Sequence, residues 1–158
     1  NNRADDLRLK RIINNPPRGL GAKTIETAER MAFAEGKALY DVVSDPYSYG
    51  PIQKNAAKFM QFTVLIEELA ILLEEGMPLP EFYDELMKRT GYADMLENKS
   101  TEESKTKLEN IRELKSSIIS YSREALEPIH EDIIRFAKAE GLTAHANSIA
   151  VRFGKEVK

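Results

Sequence analysis

The sequence predicts an all-α fold, an irregular helical bundle. Three observations carry this. Apolar residues recur at 3–4 spacing through almost every segment. No segment holds the two-residue alternation of a half-buried strand for long, and Ile149 to Phe153 is the single weak strand candidate. Glycine and proline punctuate the joints between the periodic stretches.

The elements follow in order. Asp5 and Asp6 precede Leu7, Leu9, Ile12 and Ile13, and acids ahead of an apolar stripe suit a helix start. Asn14-Asn15-Pro16-Pro17 stops that helix, because a residue before proline avoids the α region. Arg18-Gly19-Leu20-Gly21 reads as a tight turn. A second helix runs from about Ala22 to Ala34, with Ile25, Ala28, Met31 and Ala32 on one face. Gly36 interrupts it before a short helix around Leu39, Tyr40, Val42 and Val43. Residues 45–51 form a loop rich in breakers. The next helix is long, about Ile52 to Glu75, and Phe59, Phe62, Leu65, Ile66, Leu69, Leu72 and Leu73 give it a core-facing stripe. Gly76-Met77-Pro78 ends it. Pro80 to Thr90 is helical with Phe82, Leu86 and Met87 inward, and Gly91 separates it from Tyr92 to Leu96. Ser100-Thr101-Glu102-Glu103 resembles a capping box and opens a helix carrying Leu108, Ile111, Leu114, Ile118 and Ile119. After Ser122 two shorter helices are expected, Leu126 to Glu140 and Leu142 to Phe153, with Gly141 between them.

A chain of 158 residues suits one domain, or one domain with an appendage. It can bury roughly 70% of its unfolded surface and needs no metal or disulfide staple. The absence of cysteine removes disulfides, Cys-based zinc fingers, iron–sulfur clusters and thiol catalysis. It also fits a reducing compartment, so a cytoplasmic location is expected. His130 and His145 are too few to build a His-rich metal centre, and no metal site is expected. No apolar run of about 18 residues occurs, so no membrane helix is expected. The start is neither a signal nor a transit peptide and lacks Met, which suggests a piece of something longer.

The net charge of −3 is uneven. Residues 1–30 hold seven basic and four acidic side chains, a balance of +3. Residues 67–113 hold six basic and thirteen acidic ones, a balance of −7. A basic N-terminal hairpin therefore sits on an acidic helical body, and net charge alone excludes no partner.

The turn at residues 18–24 carries the chemistry. Glycines allow positive φ and close approach of another backbone. The turn feeds a helix N-terminus, whose free N–H groups favour an anion. Arg18 and Lys23 flank that point, and Leu20 is expected to pack between the two helices. This is what a helix-hairpin-helix needs to hold a DNA phosphate, and such contacts position a duplex without reading its sequence. The same residues also fit a plain glycine-rich corner with solvent-facing cations. They do not fit a nucleotide phosphate loop, which needs Gly directly before Lys and a strand in front.

These residues resemble a known family. Asp6-Leu7, Arg11 to Asn14, Pro17 to Gly21 and Thr24-Ile25 look like the opening of the 2B subdomain of UvrD/PcrA-like superfamily 1 DNA helicases. Thr90-Gly91-Tyr92, Met95-Leu96, Leu108 to Ile111 and Glu113-Leu114 resemble a second stretch of it at suitable spacing. The resemblance covers about residues 5–120 and implies residues 1–122 as a 2B-like helical subdomain. It implies contact with duplex DNA through Arg18, Gly19, Leu20, Gly21, Ala22, Lys23 and Thr24, and modulation of unwinding. It also implies the parent's motor domains as partners. ATP and Mg would belong to that motor, whose motifs are absent here. No catalytic residue and no cofactor are therefore expected in this chain.

Residues 123–158 read as an appendage. Pro128-Ile129, Ala139 to Ile149 and Val151-Arg152 resemble the C-terminus of histidinol dehydrogenase. That resemblance would make His145 a zinc ligand and Glu140 a substrate-site residue, but the other ligands and the nucleotide-binding body are missing. A surface helix end with an ordinary histidine is the competing reading. The pairs Glu67-Glu68, Glu74-Glu75 and Glu102-Glu103 read as solvated faces rather than catalytic carboxylates. Tyr40, Tyr47 and Tyr49 read as packing residues rather than base-stacking platforms. The alternative function is a protein-interaction or regulatory module that uses the acidic body and makes no direct DNA contact.

Overall fold

The computed structural model describes residues 3–139. The observed elements are α1 (Asp6–Ile12), α2 (Ala22–Glu35), α3 (Leu39–Ser44), two 3₁₀ turns (Pro46–Ser48 and Gly50–Asn55), α4 (Ala56–Glu74), α5 (Leu79–Thr90), α6 (Tyr92–Lys99) and α7 (Glu102–Ala139). No strand occurs among the described residues. The all-α expectation is borne out. The strand candidate at Ile149 to Phe153, the expected helix from Leu142, and both Glu140 and His145 lie outside the described residues.

The chain divides into two compact units, Asn1–Glu109 and Asn110–Lys158. The first holds α1 to α6. Within it α3 packs on α1, α2 and α4, while α5 packs on α4 and α6. The core is built by Leu9 and Ile13 of the first hairpin arm, Leu20 of the turn, Ala28 and Ala32 of α2, four residues of α3, Ile52, Phe59 and Phe62. Ile25 and Met31 pack against it from α2, as the spacing expects. In the second unit the described part is the remainder of α7. That helix runs without a break through Ser122, so the separate helix expected from Leu126 is its continuation.

The helix ends follow local chemistry. Asp5 caps α1, its carboxylate accepting the Arg8 amide at 3.0 Å. Its neighbour Asp6 reaches across to accept the first amide of α3, at Leu39, at 3.0 Å. Gly36, Gly76 and Gly91 close α2, α4 and α5 with positive φ. The cap of α7 differs from the expected Ser/Thr–Glu box. Thr101 Oγ1 accepts from the Ser104 amide at 3.1 Å and Ser104 Oγ accepts from the Thr101 amide at 2.9 Å, so buried Ser104 takes the glutamate's place.

Three expectations shift in detail. The long helix starts at Ala56 rather than Ile52, because Gly50 and Pro51 open a 3₁₀ segment instead. Leu73 is exposed, one turn past Leu69, the last buried position of the stripe that holds Phe59 and Phe62. In α5 it is Tyr83 that is buried, while Phe82, Leu86 and Met87 are half-buried.

Tyr40 ties the first unit together. Its hydroxyl donates to Glu67 of α4 at 2.5 Å, and Arg3 both pairs with Glu67 at 2.7 Å and lies 5.3 Å above the Tyr40 ring. Burial, then the bond to Glu67, push the Tyr40 hydroxyl up to about 12. The folded chain thus holds this proton more tightly than the unfolded one, whose tyrosines titrate near about 10. Stability from this contact is complete below about pH 10 and is lost as pH rises toward about 12. Denaturation midpoints followed across that range are expected to fall more in the wild type than in Tyr40→Phe; parallel curves would contradict the assignment. Leu20 is fully buried. Leu20→Ala is expected to cost about 2–5 kcal/mol in a urea melt, while Leu73→Ala stays within about 1 kcal/mol.

Candidate nucleic-acid interface

The turn between α1 and α2 is held from inside. Asn14 Oδ1 accepts from the Arg18 amide at 2.8 Å and from the Leu20 amide at 3.2 Å. One side-chain oxygen therefore organises two backbone donors of an irregular segment. Fully buried Leu20 packs in the core as expected. This role of Asn14 carries no signal in sequence, because an Asn before Asn-Pro-Pro reads only as a helix stop.

Arg18 does not extend to solvent. Its Nη1 lies 2.9, 3.3 and 3.1 Å from the carbonyl oxygens of Ile12, Ile13 and Pro16. Its guanidinium sits 5.3 Å above the Phe62 ring. Partial burial lowers its pKa from the usual arginine value, and the group stays charged. Arg18 thus covers the carbonyl-rich end of α1, where a cation is electrostatically favoured.

The two glycines differ. Gly19 has φ +70°, and a Cβ there would lie 2.8 Å from Lys58 Nζ. The left-handed backbone favours glycine at that position. Gly21 has ordinary extended angles, φ −67° and ψ 158°, and a Cβ would meet nothing within 4 Å. Nothing internal requires glycine there. Gly21 is the N-cap of α2 and offers no side-chain cap. Its carbonyl accepts from Thr24 and Ile25, and among the described residues the amides of Ala22 and Lys23 have no acceptor.

The surrounding charge is less free than the sequence suggests. Arg8 pairs with Asp5 at 3.3 Å, and Lys10 pairs with Glu29 at 2.7 Å. Lys23 is exposed and forms no ion pair among the described residues. A cation missed by sequence lies beside the turn: Lys58 of α4 donates to the Gly19 carbonyl at 2.9 Å. Three residues before it, Asn55 Nδ2 approaches Thr24 Oγ1 at 3.4 Å. The long-range pairing of α4 with the turn has no sequence signature, since Lys58 is simply an exposed lysine on a helix. Two of the acidic pairs are tied up at the surface, with Glu67 on Arg3, Glu68 on Arg89, Glu102 on Lys105 and Glu103 on Lys107. Tyr49 bonds Glu35 and Lys37 rather than presenting a free ring. No group of three or more His, Asp or Glu able to hold a metal occurs among the described residues. No helix among them is long and apolar enough to cross a membrane.

Gly19→Ala is expected to cost about 1–2 kcal/mol, through left-handed strain and displacement of Lys58. Gly21→Ser is expected to be neutral or slightly stabilising, since serine is a favoured N-cap. Urea midpoints check both; equal losses at the two positions would contradict this account of the turn.

No family model matches the chain. Over 115 residues, 73% of this chain, it is 35% identical to the ATP-dependent DNA helicase PcrA of Staphylococcus aureus. Over the same length it is 32% identical to the ATP-dependent DNA helicase PcrA of Staphylococcus epidermidis. In both cases the shared stretch is 16% of the relative's length, so the chain corresponds to a short segment of those helicases. Most of this chain is therefore related in sequence to PcrA-like helicases.

Proposed function

We propose that this chain is an accessory 2B-type subdomain of a PcrA-like DNA helicase, contacting the backbone of duplex DNA through a helix-hairpin-helix turn and modulating unwinding. It carries no motor activity of its own; ATP and Mg belong to the parent's motor domains, its partners in the same polypeptide. Residues 1–122 carry the role and residues 123–158 are an appendage.

The observation that supports this most is Gly21. Its glycine is unnecessary to the fold, yet it leaves the α2 N-terminus bare, with the Ala22 and Lys23 amides open. A side chain absent for no internal reason suits close approach by an outside backbone, and open amides at a helix N-terminus suit a phosphate. Gly19, Leu20 and Arg18 shape the turn from within, while Gly21, Ala22, Lys23 and Thr24 form its outer face. Contacts of this kind are few and blind to base sequence, so affinity is modest and falls steeply with salt.

A second reading, protein docking without DNA contact, draws on Phe33, whose ring is 89% exposed on α2. A single titration separates the two. Labelled duplex and single strand are added to the wild type and to Gly21→Asp at low salt. Aspartate is a good N-cap and suits the helix dipole, so the variant keeps its urea midpoint. It places a negative charge where the phosphate would sit, so duplex binding is expected to disappear. Duplex binding retained by Gly21→Asp would overturn the assignment to the turn, and duplex binding absent from the wild type would overturn the reading in favour of docking.

A further inference from the structure

With Arg18 turned inward, the outer face of the turn keeps Lys23 from its own segment and gains one cation from elsewhere. We propose that Lys58 of α4 is a phosphate-contacting residue of this interface, an assignment that rests on the duplex-contact reading above.

Three features of the geometry carry it. First, Lys58 is seated. Its Nζ donates to the Gly19 carbonyl at 2.9 Å, and the missing Cβ of Gly19 makes the space it occupies. Second, its helix is anchored by the neighbouring Phe59 and by Phe62 one turn along, both buried in the core, so the lysine stem starts from a fixed base. Third, its charge is uncompensated. Arg3, Arg8 and Lys10 each have a carboxylate within 4 Å, but Lys58 has none among the described residues.

The chemistry follows from the donor count. An ammonium group has three N–H donors. One goes to Gly19, and two remain for an anion. The bond to Gly19 also covers a carbonyl oxygen whose partial negative charge would otherwise face an arriving phosphate. Lys58 therefore removes a repulsive dipole from the turn and adds a full positive charge beside the open amides of α2. The phosphate is held between the helix N-terminus, Lys23 and Lys58, which come from two different elements.

The test uses the full 158-residue chain and a labelled DNA duplex, with affinity followed against salt. Each phosphate neutralised contributes about −0.9 to the log–log slope. Lys58→Met keeps the aliphatic stem and removes the charge, and it is expected to reduce the magnitude of the slope by about 0.9. Lys58→Arg is expected to restore it. Lys105→Met, which removes a paired cation of α7, is expected to leave it unchanged. A purely structural role would lower the urea midpoint of Lys58→Met and leave the slope alone. If the wild type binds duplex and Lys58→Met keeps the full slope, the assignment to Lys58 is wrong while the turn reading stands. If the wild type binds no duplex, the turn reading fails and takes the assignment with it.

Discussion

The turn between α1 and α2 depends on one side-chain oxygen. Asn14 Oδ1 accepts the amides of Arg18 and Leu20, two donors that no helix could satisfy. Leaving both unpaired would cost about 1–3 kcal/mol each. With them held, Leu20 drops into the core, Gly19 takes its left-handed angle, and α2 begins at a fixed place beside α4. Arg18 closes the arrangement from the other side by covering the carbonyls at the end of α1. The α2 N-terminus is thus presented by a rigid frame rather than a mobile loop, and an anion bound there pays little ordering entropy.

This frame changes what the basic N-terminal segment means. Seven cations in 30 residues suggest an electrostatic surface. In the fold, Arg3, Arg8 and Lys10 are matched to carboxylates, and Arg18 serves the turn itself. Such exposed pairs add little stability, yet they remove net charge from the surface. What is left at the turn is small and local: two backbone amides, Lys23 and Lys58. That suits a contact that orients a duplex, and it does not suit a tight or sequence-reading site.

Much of the helical order was legible in the sequence, for definite reasons. Asp5 ahead of an apolar stripe, the double proline, and glycines at helix ends each act through near neighbours, so local rules suffice. The buried stripe of α4 showed through its spacing, although Leu73 lay one turn too far. The candidate site was half legible. Gly19, Leu20 and the helix start after Gly21 follow from local chemistry. The placement of Arg18 was not legible, because an arginine beside a glycine turn looks the same in sequence whether it faces solvent or a helix end. Lys58 was invisible, since its seat on Gly19 bridges 39 positions of chain.

The most direct measurement is an NMR titration of the isotopically labelled chain with a DNA duplex. The account predicts shifts centred on the Ala22, Lys23 and Thr24 amides and the Lys58 ammonium, while the Arg18 guanidinium and Asn14 side chain stay where they are. Shifts gathered instead on the acidic helices from Glu67 to Glu109, with the turn unmoved, would contradict it.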